Sequence, residues 1–383
     1  MSFTTIGRIA SGVFLLACLS VASPVFAQSQ ATTGVIEGSV SDTQGGRLPG
    51  ATVTLLNTGT NFSRELATDQ DGRFRGLLLP LGSYRLTVVL QGFATYVQEG
   101  IQLAVGQTAN IPVVLQLAGV TQEVTVTADS PVVETTRSEG ATRINQQAVE
   151  GLPNNGRNFL SYMQLTPGVT IVQGPDGDMI SVGGQKGIAN NISVDGADFN
   201  NPFFGEQRGG QRPAFTFNQD AIKEMVVVSD GAAAEFGRSG GAFVQVVTKS
   251  GTNQLAGSAH AFFKVDELSA ESSDGQKYPF DQEQFGATLG GPLVADKIFY
   301  FLAYDQQRFR QTKQLDPDRI EPRVVDFFAA LGSPEENGPI DRTNDARVFL
   351  GKVDLQVNPA SLLTLRYNYT WAAQEKGTFV VES

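Results

Sequence analysis

The segment of this chain between residues 363 and 371 alternates strictly between apolar and polar side chains. The apolar set is Leu363, Leu365, Tyr367, Tyr369 and Trp371, and the polar set is Thr364, Arg366, Asn368 and Thr370. Successive side chains of a β-strand point to opposite faces, so the pattern predicts a strand with one apolar and one polar face. Such a strand suits a membrane barrel, with lipid on one side and a polar lumen on the other.

Four further segments extend this pattern through the last third of the chain. The five predicted strands are residues 255–265, 282–291, 297–308, 346–357 and 361–371. Short connections at 292–296 and 358–360 alternate with long ones at 266–281 and 309–345. Membrane barrels have short periplasmic turns and long outer loops, so this order favours a barrel over the alternative, a soluble jelly roll.

The chain is too short to complete such a barrel. A plugged transporter barrel has about 22 strands of roughly 10 residues each, and residues 253–383 have room for only the first of them. Because unpaired backbone groups are costly in hydrocarbon, we expect that the chain alone does not form a pore. We therefore interpret the chain as a truncated product or a fragment.

Short apolar runs separated by turn signals occupy residues 34–117. This spacing predicts a β-sandwich of about seven strands. Asp69 and Asp71 in one of the turns are possible calcium ligands, but an Asp-Gly turn needs the same residues for its backbone geometry, and the turn is the favoured interpretation. The sandwich resembles the carboxypeptidase regulatory-like domain, a transthyretin-like fold, and the matching residues are 38–40, 49–55, 68–74 and 80–86.

An alternating run of β-prone residues follows the sandwich. It consists of Glu123, Val124, Thr125, Val126, Thr127 and Ala128. A peptide of this kind can add itself to an exposed sheet edge through its main chain. The run resembles a TonB box, the segment through which TonB pulls on a receptor, and its position after the sandwich favours that interpretation over a last sandwich strand or a plain linker.

The strongest resemblance lies between residues 129 and 251, which are similar to the plug of TonB-dependent receptors. The matching residues are 152–159, 164–169, 192–196, 221–228 and 234–251. Gly237, Gly240 and Gly241 are expected to allow positive φ and close backbone packing, and the spacing of a phosphate-binding loop is absent there. Residues 285–293 and 296–301 resemble the Oar-like subgroup of these receptors.

The resemblances together imply a mainly β chain with five parts. These are a signal peptide (1–27), a transthyretin/Ig-like β-sandwich (28–118), a TonB-box-like linker (119–130), an α+β plug (131–252) and the first strands of an incomplete transmembrane β-barrel (253–383). They imply a location in the outer membrane with the sandwich in the periplasm. They also imply energised uptake of a bulky ligand and two further contacts, the periplasmic domain of TonB and outer-membrane lipid.

The first residues have the features of a secretory signal. Arg8 precedes an apolar stretch, and a small-residue cleavage site places Ala27 before Gln28. A membrane anchor and lipoprotein processing at Cys18 are the alternatives. We predict that Gln28 is the first residue of the exported chain, which intact-mass measurement of a membrane fraction will check. A mature chain that starts at a lipidated Cys18, or that keeps Met1, would contradict this prediction.

Charge and composition argue against several functions. The net charge of -11 repels a phosphate backbone, so nucleic acid is not an expected partner. Cys18 is the only cysteine and His260 the only histidine, so clusters of these residues for a metal site are absent from the sequence. A Ser-His-Asp triad would have to use His260 alone, and we interpret His260 as a polar residue in a strand. We expect no catalytic residue, no metal and no cofactor, and we interpret Asp195 and Asp198 as turn residues rather than as an enzyme's carboxylates.

The ligand itself is left open. Siderophore, carbohydrate, peptide and vitamin are all compatible with the resemblance, and the candidate contacts in the plug are Asn200, Asn201, Phe203 and Phe204, unless they belong to an ordinary plug loop. A different class of function remains as the alternative, a carbohydrate-binding or adhesion module of the cell surface built from the sandwich.

Overall fold

The structure is a computed structural model that describes residues 32–118, 123–127, 140–174, 177–201, 215–231, 237, 239–271, 277–313, 320–332, 340–358 and 361–375. The predicted signal peptide and its cleavage site at Ala27 and Gln28 lie outside these residues. The described residues form three β-rich modules that follow one another along the chain.

The first module is the predicted sandwich, built from eight strands. They are β1 (Thr33–Asp42), β2 (Thr52–Asn57), β3 (Ser63–Ala67), β4 (Arg73–Pro80), β5 (Gly82–Val89), β6 (Thr95–Leu103), β7 (Thr108–Asn110) and β8 (Val113–Leu115). One sheet contains β1, β4, β7 and β8, and the other contains β3, β2, β5 and β6 in that order. The strand alternation seen in the sequence holds, because every second residue of β5 is buried.

The sandwich core is closed by side chains from both sheets. Ile36 and Leu79 of the first sheet and Leu55 of the second are fully buried. Tyr84 of the second sheet is also fully buried, and its hydroxyl donates a hydrogen bond of 2.7 Å to the carbonyl oxygen of Pro80. The turn at Asp69 is a side-chain-capped turn, because its carboxylate accepts hydrogen bonds from the backbone N–H groups of Asp71 and Arg73. This geometry agrees with the turn interpretation of the two aspartates.

The second module is the plug, a five-stranded mixed sheet covered by short helices. Its strands are β10 (Gly140–Asn145), β11 (Val169–Gly174), β12 (Gly177–Val182), β13 (Asn191–Val194), β14 (Ala197–Asp198), β15 (Ile222–Asp230) and β16 (Phe243–Thr248). The helix α1 (Gln146–Gly151) is followed by 3-10 turns at Asn155–Arg157, Phe159–Leu165, Gly187–Ala189 and Gln219–Ala221. The sheet order is β10-β15-β16-β13-β14, and β11 and β12 form a separate hairpin.

The plug core explains why its two central strands are apolar in sequence. All six residues of β16 are buried, and β15 buries the run from Glu224 to Val228. Phe159, Phe199 and Phe217 pack edge to face beneath the sheet with ring centroids 5.8 to 6.3 Å apart, a favoured aromatic geometry.

The three plug glycines behave differently from our expectation. Gly237, Gly240 and Gly241 do not have positive φ, so the prediction that they adopt it is wrong. Close approach holds at Gly241, where a Cβ atom would lie 2.4 Å from the side-chain oxygen of Asn190. A Cβ atom on Gly237 would meet none of the described atoms within 4 Å, so close packing is not seen there.

The third module is an open sheet of five long antiparallel strands. They are β17 (Ala256–Val265), β18 (Phe280–Val294), β19 (Ile298–Lys313), β20 (Ile340–Asn358) and β21 (Ser361–Glu375), in sequence order across the sheet. Strands β18 to β21 are longer than the sequence pattern predicts, because main-chain pairing continues beyond the residues that face lipid. The connection after β19 also contains a helix, α2 (Pro322–Ala330), that we did not predict.

The two faces of this sheet match the predicted alternation. Leu365, Tyr367 and Tyr369 are exposed on one face, whereas Lys352 and Asp354 are buried on the other. The polar face contacts the plug, as shown by the hydrogen bond of 2.9 Å from the Thr370 hydroxyl to the carbonyl oxygen of Thr216. Among the described residues, no helix is long and apolar enough to cross a bilayer.

The sandwich and the plug each bury a large set of their own apolar side chains, and Phe301, Ala303 and Leu350 of the third module add to the plug core. We expect residues 28–250, expressed alone, to be soluble and β-rich, because most of each core comes from the module itself. Adding residues 251–383 introduces open strand edges and an apolar face, so the longer chain should aggregate or require detergent. Size-exclusion chromatography with and without detergent measures the difference. Equal solubility of the two proteins would contradict a barrel.

Candidate functional site

The candidate coupling segment forms a strand, β9 (Glu123–Thr127), at the edge of the sandwich. It pairs in parallel with β6, from Thr95 opposite Glu123 to Glu99 opposite Thr127. The sheet order becomes β3-β2-β5-β6-β9, so β9 is the terminal strand. The predicted segment also includes Ala128, which lies outside the described residues.

The position of β9 fits two of our interpretations at once. Its geometry is that of a last sandwich strand, one of the alternatives to a coupling segment. An edge strand also has a row of main-chain groups with no partner strand, and these groups can pair with a strand from another protein. Within the described part of the chain, no strand pairs with the outer edge of β9.

The proposed ligand-contacting loop begins beside strand β13. Asn200 is 3 % exposed, and its amide group donates hydrogen bonds to the side-chain oxygens of Asn191 and Asp198 while its oxygen accepts from the backbone N–H of Ile192. These contacts make Asn200 a positioning residue in this structure. Asn201 is half-buried, and Phe203 and Phe204 lie outside the described residues, so ligand contact by this loop remains a prediction.

A charged cluster that we did not predict joins the plug to the third module. Arg157 and Asp220 of the plug form an ion pair, and the Asp220 carboxylate also lies 2.7 Å from Nδ1 of His260 on β17. Asp305 on β19 completes the cluster at 3.5 Å from Nε2 of His260, and it is 1 % exposed. From the sequence we interpreted His260 as an ordinary strand residue. Its partners are distant in sequence, and no local pattern indicates them.

The electrostatics of the cluster hold Asp220 ionised. Burial alone would raise the pKa of the Asp220 carboxyl, but the hydrogen bond from His260 and the charge of Arg157 outweigh burial and lower it to about 2. A carboxylate that stays charged keeps both of its cationic neighbours paired. The cluster therefore fixes the plug against the strand sheet at mid-height of β17 and β19.

A second polar contact between the same two modules centres on Asp195. Its carboxylate accepts hydrogen bonds from the backbone N–H and the hydroxyl of Thr248 at 2.8 and 2.6 Å. Arg366 of β21 lies 3.3 Å from the same carboxylate, and Lys352 of β20 lies 3.9 Å from it. Asp195 thus ties the end of β16 to two strands of the sheet, which agrees with a structural role rather than a catalytic one.

The described residues contain no group of three histidine, cysteine, aspartate or glutamate side chains arranged to hold a metal ion. A cavity of about 390 Å³ lies where the three modules meet. Its polar lining includes Lys223, Lys352, Asp354 and Arg366.

Comparison with known protein families assigns all three modules. Residues 35–116 match the carboxypeptidase regulatory-like domain, residues 134–243 match the TonB-dependent receptor plug domain, and residues 247–318 match an outer membrane beta barrel domain. The first match covers most of the sandwich and the second most of the plug, and the third covers strands β17 to β19 of the five-stranded sheet. The matches confirm the sandwich, plug and barrel predictions made from the sequence.

Individual relatives agree with these families. The chain is 28% identical over 387 aligned positions to the TonB-dependent transporter Oar of Myxococcus xanthus, which covers 94% of this chain and 35% of that protein. Among solved structures it is similar to the siderophore receptor PirA from Acinetobacter baumannii, with 20% identity, a TM-score of 0.44 and coverage of 62% of this chain and 32% of that one. The chain is also similar to the outer membrane transporter YddB from Escherichia coli, with 15% identity, a TM-score of 0.45 and coverage of 61% of this chain and 33% of that one. The chain spans about a third of the length of these relatives.

Proposed function

This chain belongs to the family of TonB-dependent outer-membrane receptors. From that premise we propose that it takes part in TonB-energised uptake of a bulky ligand. We further propose that TonB engages the segment Glu123–Thr127 together with Ala128. Its location is the outer membrane, and we place the sandwich and β9 in the periplasm. The family is one of receptors and transporters rather than enzymes.

The observation that carries the proposal is the edge position of β9. A periplasmic TonB domain that adds a strand needs an extended partner with free main-chain groups, and the terminal strand of the sandwich sheet offers them. The segment also lies directly before the plug in sequence, since β10 begins at residue 140. A force applied to β9 therefore passes through a short connection into the first strand of the plug sheet.

The position of the contacts supports a pathway through the third module. Lys352 and Arg366 on the polar face of the sheet contact Asp195 of the plug, so the plug lies against the face that would line the lumen of a complete barrel. Displacing the plug must break these contacts, which is work that a pulled coupling segment can supply. Ligand binding on the outer side, at residues near Asn201 and in the long loops, belongs to the same proposal.

The class of ligand is proposed only broadly. A siderophore, a carbohydrate, a peptide and a vitamin are the candidates. The alternative of a surface adhesion module has less support, because plug and barrel families match the residues that follow the sandwich.

The test of the proposal is binding of a TonB periplasmic domain to the purified chain in detergent. We expect saturable binding that a synthetic peptide of residues 121–129 inhibits by competition. A peptide of the same composition in scrambled order is the matched control. It contains the same amino acids but lacks the alternation of valine and threonine. Binding that the native peptide fails to inhibit would assign the TonB contact to another segment.

A further inference from the structure

The sandwich makes a specific contact with the centre of the plug sheet. Val105, in the loop between β6 and β7, packs against four plug residues, and Leu81, between β4 and β5, packs beside it. The plug residues are Val226, Val228, Phe243 and Val247. They belong to β15 and β16, the second and third strands of the five-stranded plug sheet. The sandwich therefore covers part of two inner strands of that sheet.

Charged plug side chains bind the backbone of the same two sandwich loops. The N–H of Val105 donates to the Glu224 carboxylate at 3.1 Å, and the carbonyl oxygen of Val105 accepts from Arg143 at 2.7 Å. Glu224 and Arg143 also face each other, 3.8 Å apart. Both main-chain polar groups of Val105 are therefore bound by an oppositely charged pair on the plug, an arrangement that depends on the backbone path rather than on the side chain of Val105.

Lys223 makes the corresponding contact with the second loop. Its ammonium group donates to the carbonyl oxygen of Leu81 at 2.9 Å. Burial lowers the pKa of this lysine to about 8, with Glu224 opposing the shift. Burial thus disfavours the charged form of Lys223, and the hydrogen bond to Leu81 is a polar contact that the buried ammonium group makes with the sandwich.

A third contact joins the sandwich to the start of the strand sheet. The backbone N–H of Asn253 donates to the carbonyl oxygen of Gly59 at 3.0 Å, and the side chain of Asn61 donates to Asp296 at 2.8 Å. Asp296 lies in the short connection between β18 and β19 and has positive φ. The sandwich is thus fixed at two levels, to the plug sheet and to the periplasmic end of the barrel strands.

From these contacts we propose that the sandwich is a periplasmic latch that holds β15 and β16 in place, and that it must leave the plug before the plug can move. The proposal rests on TonB-energised transport as the function of the chain. Its mechanical basis is that β9 is paired with β6 of the sandwich, so a pull on β9 also loads the contact between Val105 and Glu224. Interfaces of this kind, with an apolar centre and a few charged hydrogen bonds, suit reversible contact between domains.

The first experiment measures exposure of the covered surface. Val105 is 2 % exposed, so Val105→Cys should react with a maleimide only when the sandwich has left the plug. Val53→Cys is the matched control, because Val53 is fully buried in the sandwich core and reports unfolding instead. Cys18 is the only native cysteine, and the predicted signal cleavage removes it.

We expect a TonB-dependent difference in a receptor that carries this chain together with a full barrel. Val105→Cys should be labelled at least tenfold faster in cells with active TonB than in cells that lack it, while Val53→Cys remains unlabelled in both. Equal labelling of Val105→Cys with and without TonB would overturn the latch. If the TonB domain still binds the purified chain in that case, the proposed function stands without it. If the domain does not bind at all, the proposed function fails as well.

The second experiment locks the latch in the purified chain. A Cβ atom on Gly59 would lie 4.0 Å from the Cβ of Thr252, within the usual range for a disulfide. Gly59→Cys with Thr252→Cys should crosslink on oxidation and slow amide hydrogen exchange in β15 and β16 at least tenfold relative to the reduced protein. Gly59→Cys alone is the control. Exchange that is the same in the oxidised and reduced proteins would show that the sandwich does not restrain these strands.

Discussion

Replacing Val124 or Val126 by proline is expected to reduce binding of the TonB periplasmic domain at least tenfold, and to abolish uptake in a receptor with a full barrel. Proline has no backbone N–H and fixes φ, so it removes a donor from β9 and disrupts the extended strand around it. A tenfold loss corresponds to about 1.4 kcal/mol, which is within the range of one main-chain hydrogen bond.

The control for these variants is Thr125→Ser. Serine retains the backbone donor, the hydroxyl group and the conformational freedom that a strand needs, so we expect TonB binding within twofold of the unchanged chain. Isothermal calorimetry on residues 28–250 gives the affinities. If Val124→Pro and Val126→Pro both bind TonB normally, β9 is only the last strand of the sandwich and the coupling assignment is wrong.

Replacing Asp220 by asparagine is expected to loosen the plug from the strand sheet. The change leaves Arg157 and His260 with Asp305 as their remaining acidic partner, and Asp305 is almost completely buried. Breaking one member of a buried charged group costs roughly 3–5 kcal/mol, and because the Asp220 side chain is 19% exposed we expect a smaller loss, about 2 kcal/mol. The urea midpoint of plug unfolding, followed by near-ultraviolet circular dichroism, measures this loss.

The effect of Asp220 should depend on pH in a defined direction. Its pKa in the folded protein is about 2, below the ordinary value of an aspartate, so the folded state favours the charged form. The stabilisation is fully present above the ordinary pKa and is lost as the pH falls through about 2. The difference between the unchanged chain and Asp220→Asn should therefore shrink at pH values below about 4.

A matched control for this variant is Asp230→Asn. Asp230 is an exposed residue at the end of β15, so the same loss of one charge should leave the urea midpoint nearly unchanged. A similar midpoint shift in both variants would indicate a general effect of net charge. It would contradict the role that we assign to the cluster.

The sequence alone determined the architecture of each module, because that architecture depends on local pattern. Alternation at Leu365 and Tyr367 sets which face of β21 is apolar, and the mostly apolar β16, interrupted by Gln245, favours a strand covered on both sides. The turn at Asp69 follows from local hydrogen bonding in the same way. Strand ends were less predictable, since pairing in β20 extends past the alternating residues.

The tertiary structure decided which distant residues meet. His260 and Asp220 are separated by 40 positions, and Val105 and Glu224 by 119, and nothing in the neighbourhood of either residue in the chain indicates its partner. The pairing of β9 with β6 is equally a property of the folded sheet, because an alternating peptide can join any free edge of suitable length. The periodicity of the chain thus specifies strands and their faces, whereas contacts between modules depend on how the finished surfaces fit together.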